Sequence, residues 1–164
     1  KMLQFRLFVL DDRREFANKE RFPEAEEVSV ADYVHGLDNF PITANTAIII
    51  ATRGHTFDDV ALEAADGSPA SYVGLVGSQR KAILIYEELI KRGVPLERLQ
   101  DIRSPIGLDI HARTPAEIAL SIMVEVIQFR LGGTGRTMKL SDKQLLRIYD
   151  KVQKEKAKAS APAG

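Results

Sequence analysis

The stretch from Tyr72 to Lys81 most strongly limits what this chain can fold into. An apolar run of strand character, Tyr72–Val76, ends at Gly77 and Ser78, and an amphipathic helix pattern follows directly. Gly77 permits a tight turn, because it has no side chain to clash with the backbone or a ligand. Ser78 is a favourable helix N-cap, since its hydroxyl can accept from an amide two or three residues later. The stretch therefore predicts a strand, a tight turn and a helix in direct succession.

Two cations, Arg80 and Lys81, follow this N-cap within the first helical turn. The free amides and positive dipole end of a helix N-terminus attract anions, phosphate among them. Gly77, Ser78, Arg80 and Lys81 are therefore candidate anion-binding residues. The same pattern is also that of a capped helix with a solvated basic first turn. In both interpretations we expect the Arg80 and Lys81 side chains to be exposed.

A second apolar run, Thr46–Thr52, is continuous over the length of a strand. Such runs are typical of strands buried on both faces of a parallel sheet. Together with the helix patterns, this predicts an α/β protein with a doubly wound, mainly parallel Rossmann-like sheet and helices on both faces. Open α/β sheets bind ligands at the carboxyl ends of their strands. Arg53, Gly54 and His55 follow this run and are therefore candidate binding residues, with Arg53 suited to an anion.

His55 is also a weak candidate for a general acid or base, because its intrinsic pKa is suitable and Asp58 can orient it. The alternative is an ordinary hydrogen-bonded histidine. Asp109, in the loop before a later helix, is a weak candidate for a functional carboxylate. No His or Cys partner stands at metal-ligand spacing, so we expect no metal site.

Asp11, Asp12 and Arg13 close the first apolar strand. An acidic group at this place is typical of the second strand of a dinucleotide-binding unit, where it binds the ribose hydroxyls. The Gly-rich turn of that unit lies about twenty residues upstream, which is before residue 1. We therefore expect that the sequence starts inside a longer polypeptide, with a central strand missing and its ladder partners open. Taken alone, Asp11 and Asp12 also fit a turn or a helix cap.

Two domain-level segments are expected, residues 1–131 as the Rossmann-like domain and 132–164 as a Gly-rich linker, a C-terminal helix and a tail. The second begins Gly132-Gly133-Thr134-Gly135, which lacks the Lys-Ser/Thr ending of a P-loop. Within the first, Thr114, Pro115 and Glu117 predict a helix start with a capping box. A further capping box, Ser141 with Gln144, predicts the start of the last helix.

Composition limits the function classes. Lys and Arg number 23, as do Asp and Glu, so the net charge is zero and no broad nucleic-acid footprint is expected. No apolar run reaches the ~20 residues of a membrane helix. The chain has no cysteine, which excludes a disulfide or a cysteine nucleophile within it and fits a cytoplasmic location.

Several blocks of residues follow one another along the chain: Asp11-Asp12-Arg13 with Phe16-Ala17-Asn18 and Arg21-Phe22-Pro23; Thr52-Arg53-Gly54-His55 with Asp58 or Asp59; Tyr72-Val73-Gly74 with Gly77-Ser78 and Arg80-Lys81; Pro105-Ile106-Gly107-Leu108-Asp109-Ile110; and Thr114-Pro115 with Glu117-Ile118-Ala119 and Ser121-Ile122. In this order and spacing they resemble the Rossmann domain of the XdhC/CoxI family, accessory proteins of xanthine dehydrogenase and related molybdenum hydroxylases. The resemblance covers roughly residues 5 to 127. Two departures are the absent first strand with its Gly-rich turn, and His111 where a Gly is expected.

The resemblance implies a protein that binds molybdenum cofactor and helps its maturation and insertion into a molybdenum hydroxylase apoenzyme, together with a separate cysteine desulfurase or sulfurtransferase. It implies a cofactor-binding chaperone more than a turnover enzyme, and we expect a homo-oligomer. Without cysteine, the chain cannot itself carry a persulfide. Two alternatives stay open: an NAD(P)-dependent oxidoreductase that uses Asp11, Asp12 and Arg13 for the ribose and His55 as acid, and an interaction module whose basic final helix docks a partner.

Overall fold

The computed structural model describes residues 2–53 and 55–159; for residues 55, 56 and 157–159 it describes the backbone alone. Strands and helices alternate along most of the chain, as the sequence patterns predict. The strands are β1 (Phe8–Asp11), β2 (Glu27–Val30), β3 (Ala47–Ile50), β4 (Tyr72–Leu75) and β5 (Ile102–Arg103). The helices are α1 (His55–Asp66), α2 (Gln79–Lys91), α3 (Leu96–Asp101), α4 (Pro115–Leu131) and α5 (Asp142–Ala159), with a short 3-10 helix at Gly36–Asn39.

All the strand pairs in the described chain are parallel, which confirms the α/β prediction. They form two sheets, one with the order β1-β2 and one with the order β3-β4-β5. In the first sheet Phe8 lies opposite Glu27. In the second, Ala47 lies opposite Tyr72 and Val73 lies opposite Ile102. The chain thus keeps the parallel pairing of a doubly wound sheet but distributes it over two sheets.

Helices cover both faces of the β3-β4-β5 sheet, as expected for a doubly wound fold. Alternate strand residues point to opposite faces. Ile50 and Leu75 belong to one buried cluster, to which α1 and α2 contribute Leu62, Ile85 and Leu89. Tyr72 belongs to a second buried cluster with Ile106 and, from α4, Ile122 and Val126.

The predicted helix starts are confirmed. The Ser78 hydroxyl accepts from the Lys81 amide at 3.2 Å, which caps α2. At α4, Thr114 and Glu117 form the reciprocal capping box, with the Thr114 amide donating to the Glu117 carboxylate at 2.8 Å. At α5, the Ser141 hydroxyl accepts from the Gln144 amide at 3.3 Å.

The segment between β5 and α4 is an ordered loop. Gly107 has a φ of +105°, and an added Cβ would lie 2.6 Å from the Ser121 hydroxyl on α4. The Leu108 amide donates to the Ser121 carbonyl at 3.3 Å, and the Gly107 amide donates to the Glu125 carboxylate. A residue without a side chain therefore lets this loop lie directly on α4.

The chain separates into two compact units, Lys1–Gly133 and Thr134–Gly164. The first holds the strands β1 to β5 and the helices α1 to α4, and the second holds α5. Among the described residues, no helix is both long enough and apolar enough to span a membrane.

Candidate functional site

Apart from Asp109, the candidate site residues lie at or just after the carboxyl ends of β1, β3 and β4. This is the edge where open parallel sheets bind their ligands. Most polar side chains at this edge form hydrogen bonds or ion pairs with one another. Their partners differ from those that the sequence suggested.

Asp11 and Arg13 form a bidentate pair at the end of β1. Arg13 donates from Nε to one carboxylate oxygen of Asp11 at 2.9 Å and from a terminal nitrogen to the other at 3.1 Å. The Arg13 guanidinium also lies 3.8 Å from the centroid of the Phe16 ring. Burial raises the pKa of Asp11, but hydrogen bonds from Arg13 outweigh it, so the pKa lies below its usual value. Asp11 is therefore a bound carboxylate.

Asp12 connects the ends of β1 and β3. One carboxylate oxygen accepts from the Tyr33 hydroxyl at 3.2 Å, and the other accepts from Arg53 at 3.3 Å. Burial, followed by the charges of Asp11 and Asp12, raises the pKa of Tyr33. Arg53 keeps about half of its side chain exposed. Of these residues, Arg53 is the one that an incoming anion can most readily reach.

The histidine proposed as an acid or base lies partly outside the described residues. Gly54 is not described, and of His55 only the backbone is described, at the start of α1. Asp58, which was expected to orient His55, is fully buried and has other partners. The Thr52 hydroxyl donates to one of its carboxylate oxygens at 2.5 Å.

Lys81 forms an ion pair with the second carboxylate oxygen of Asp58. Its ammonium lies 2.6 Å from the second carboxylate oxygen, and only 20% of the Lys81 side chain is exposed, against 0% for Asp58. That oxygen makes no hydrogen bond of good geometry, but a charge contact this short inside the protein is an ion pair. The expectation of an exposed Lys81 is therefore wrong, because a buried carboxylate on another helix draws its ammonium inward.

Gly77 makes room for this inward path. An added Cβ at Gly77 would lie 3.0 Å from the Lys81 side-chain carbon Cδ, so the lysine stem passes over the glycine. The sequence suggested Gly77 for a tight turn or a close ligand. In the structure, Gly77 also leaves room for the aliphatic part of the Lys81 side chain.

Arg80 remains the accessible cation of the α2 N-terminus. It is exposed and forms no ion pair within the described part of the chain. The first amides of a helix have no intrahelical acceptor, and the Ser78 hydroxyl takes that of Lys81 alone. The geometry therefore presents one guanidinium and the amides of Gln79 and Arg80 to solvent.

Asp109 lies in the loop before α4 and is almost fully exposed. Its carboxylate is 3.0 Å from the imidazole Nδ1 of His111, whose backbone has a φ of +56°. Its described partners are those of a local turn, and the structure shows no contact between it and the residues that follow β3 or β4.

The sequence analysis assigned no role to Thr52 or Tyr33, which complete the two charge networks. Thr52 lies two residues after β3 and Tyr33 lies three residues after β2, so proximity to the strand ends was the available signal. A separate cavity of about 230 Å³ lies beside the end of α4 and is lined by Arg103, Glu125 and Phe129 among others. None of the candidate binding or catalytic residues lines this cavity.

No group of three or more His, Cys, Asp or Glu side chains within the described ranges is arranged to hold a metal ion.

Comparison with known proteins decides the family. A model of the XdhC Rossmann domain matches residues 1–126. The chain belongs to the XdhC Rossmann domain family. This confirms the resemblance inferred from the motifs.

Three curated relatives and one solved structure are similar to this XdhC domain. An uncharacterized Escherichia coli K12 protein, YqeB, is 31% identical over 84% of the chain, and a probable xanthine dehydrogenase subunit of Bacillus subtilis 168 is 29% identical over 77%. The molybdenum cofactor insertion chaperone PaoD of Escherichia coli K12 is 32% identical over 59%. The crystal structure of a xanthine dehydrogenase from Bacillus halodurans superposes with a TM-score of 0.68, at 29% identity over 80% of the chain.

The chain spans a minor part of each of these proteins. It covers 25%, 36% and 32% of the three curated relatives, in the same order, and 38% of the Bacillus halodurans chain. The comparisons therefore identify the family of this one domain, and they do not extend to the remainder of the longer relatives.

Proposed function

We propose that this XdhC domain binds molybdenum cofactor and assists its maturation and insertion into a molybdenum hydroxylase of the xanthine dehydrogenase type. Membership of the XdhC family is the observation that carries the proposal. The names of two relatives, a molybdenum cofactor insertion chaperone and a probable xanthine dehydrogenase subunit, support the same role.

The residues at the α2 N-terminus fit the phosphate of this cofactor. Arg80 supplies an accessible guanidinium, and the amides of Gln79 and Arg80 supply donors beside it. Arg53, half exposed at the neighbouring strand end, adds a second cation. The cofactor itself supplies the molybdenum chemistry; these side chains bind and orient its anionic end.

Lys81 has a different role in this proposal from the one expected of a free cation. Its charge is neutralised by Asp58 at 2.6 Å, so an approaching phosphate meets a nearly neutral pair there. Lys81 holds the first turn of α2 in place, and Arg80 carries the electrostatic attraction. Binding therefore depends more on Arg80 than on Lys81.

The partners follow from the same proposal. The chain has no cysteine, so sulfur for the cofactor comes from a separate sulfurtransferase or from polypeptide outside these residues. The receiving partner is the hydroxylase apoenzyme, and the domain works as a homo-oligomer in the cytoplasm.

An NAD(P)-dependent oxidoreductase is the second candidate, favoured by the acidic pair at the end of β1. Asp11 and Asp12 already accept hydrogen bonds from Arg13, Tyr33 and Arg53. A ribose would have to displace some of these donors, which is why we rank this function second.

The test is uptake of molybdopterin by the purified protein, measured by fluorescence of the bound pterin after gel filtration. We expect Arg80→Ala to weaken uptake at least about tenfold, because a charge-assisted hydrogen bond contributes ~1.5–3 kcal/mol. Lys91→Ala, at the exposed end of the same helix, is the matched control and should bind as the parent does. Equal binding by folded Arg80→Ala would refute the site. Binding of NAD(P)H without any pterin uptake would favour the oxidoreductase.

A further inference from the structure

The cavity beside the end of α4 lies apart from the residues of the proposed function. Its volume is about 230 Å³. Ile102 of β5 packs into the buried cluster that α1 and α2 share, so the next residue, Arg103, points to the opposite face of the sheet. There it lines the cavity together with residues at the carboxyl-terminal end of α4. A ligand in this cavity therefore leaves Arg80, at the N-terminus of α2, accessible.

The cavity holds one side chain of each charge. Arg103 supplies a guanidinium from β5, and Glu125 supplies a carboxylate from α4. The Gly107 amide donates to one oxygen of Glu125, which fixes the position of this side chain. Within the described part of the chain, neither Arg103 nor Glu125 forms an ion pair. Both charges therefore remain available to a ligand.

The Tyr72 hydroxyl lies close to both charged groups. Burial raises its pKa, the charge of Glu125 raises that pKa further, and the charge of Arg103 lowers it. Tyr72 is 2% exposed, yet its hydroxyl makes no hydrogen bond of good geometry among the described residues. A buried donor without a partner is uncommon in folded proteins. The polar groups around the cavity are thus incompletely paired with one another.

The end of α4 adds a negative potential to the wall of the cavity. The amides of Gly132 and Gly133 both donate to the Gln128 carbonyl, and the carbonyls of residues 129–131 have no partner within the helix. Both glycines line the cavity. Because the C-terminus of a helix attracts cations, this wall and Glu125 favour an ammonium group, whereas Arg103 favours a carboxylate.

Phe129 supplies an apolar wall. The ring of Tyr72 holds it in place, with the two centroids 5.2 Å apart and the ring planes at 63°. Phe129 nevertheless stays 41% exposed, and the Arg103 guanidinium lies 5.6 Å from its centroid. The exposed part of the ring offers a surface on which an apolar or aromatic group can pack.

We propose that this cavity binds a free α-amino acid with an apolar or aromatic side chain. Arg103 binds the carboxylate of the ligand, Glu125 and the end of α4 bind its ammonium group, and Phe129 packs against its side chain. The volume is below the ~300–1,000 Å³ of pockets that hold drug-sized ligands, which fits a molecule of this size. A ligand with a charge of one sign leaves either Arg103 or Glu125 without a partner.

Titration of the parent chain with L-phenylalanine and with L-leucine, followed by two-dimensional NMR of the backbone amides, tests this proposal. We expect saturable shifts at residues 103, 125 and 128–133, with a Kd of about 1 mM or tighter. Two analogues each lack one charge: phenethylamine has no carboxylate, and 3-phenylpropionate has no ammonium group. Each should bind at least about tenfold more weakly than L-phenylalanine, because a charge-assisted hydrogen bond is lost.

Two variants assign the charges to their residues. Arg103→Met should bind L-phenylalanine about as weakly as the parent binds phenethylamine, because the partner of the carboxylate is gone. Glu125→Gln, which keeps an acceptor for the Gly107 amide, should bind it about as weakly as the parent binds 3-phenylpropionate. Arg130→Met is the matched control, since Arg130 lies in α4 but does not line the cavity, and it should bind as the parent does.

Three outcomes overturn the proposal. The first is the absence of saturable shifts with either amino acid, and the second is equally tight binding of the two analogues. Both are measured on the parent chain, so they decide the matter even where a variant fails to fold. The third is parent-like binding by both Arg103→Met and Glu125→Gln. Arg80→Ala should leave amino acid binding unchanged, so failure of this proposal and failure of the proposed cofactor site are distinguishable.

Discussion

Replacing Lys81 by Met tests whether the ion pair with Asp58 holds the site together. Met keeps most of the length of the lysine stem that passes over Gly77, but removes the ammonium that lies 2.6 Å from Asp58. The Asp58 carboxylate, 0% exposed, then keeps the Thr52 hydroxyl as its remaining described partner.

The expected loss follows from this burial. Removing one partner of a buried ion pair costs about 3–5 kcal/mol, because a charge is left without compensation. We expect about 3 kcal/mol, since one fifth of the Lys81 side chain reaches solvent and water can enter beside it. For a chain of this size, that corresponds to a fall in Tm of about 6–12 °C.

The assay is thermal and urea unfolding of three variants beside the parent. Lys91→Met, at an exposed position of α2, is the control and should stay within about 0.5 kcal/mol of the parent. The double variant Asp58→Asn with Lys81→Met removes both charges and should be about 1–2 kcal/mol more stable than Lys81→Met alone. A loss below about 0.5 kcal/mol in Lys81→Met, or no recovery in the double variant, would refute the buried pair.

Two further predictions concern the loop before α4 and the cap of that helix. Gly107→Ala should destabilise the protein by at least about 1 kcal/mol more than Gly93→Ala, measured by urea unfolding, because both have positive φ but the Ser121 hydroxyl lies 2.6 Å from an added Cβ at Gly107 alone. The amides of Thr114 and Arg113 hold the pKa of Glu117 below its usual value of 4.5, so this contribution to stability is present above that value and is lost as the pH falls through the lowered pKa. Glu117→Gln should therefore flatten the fall in Tm between about pH 5 and pH 3, and an unchanged slope would contradict this assignment.

The sequence predicted those features that depend on near neighbours along the chain. Ser78 caps α2 through an amide three residues later, and the boxes at Thr114 and Ser141 close over the same spacing. The strand ending in Asp11 and Asp12 was also predicted from local pattern. The family followed from the order of such motifs.

The pairing of charges could not be predicted in the same way. Arg80 and Lys81 are adjacent and chemically similar in the sequence, yet one is exposed and the other is bound to Asp58 on a different helix. Likewise, the described partners of Asp58 are Thr52 and Lys81, and the sequence indicated neither of them. Which cation meets which carboxylate depends on how two helices pack, and local spacing contains no information on that.

The sequence by itself determined the elements of this protein: parallel strands followed by helices, their caps, and polar residues at the strand ends. These follow from side-chain periodicity and hydrogen bonds within a few residues. Tertiary structure alone decided that the parallel strands form two sheets, and that Lys81, unlike the adjacent Arg80, turns inward over Gly77. The physical reason is that sheet order and the partners of buried charges are set by contacts between segments far apart in the chain.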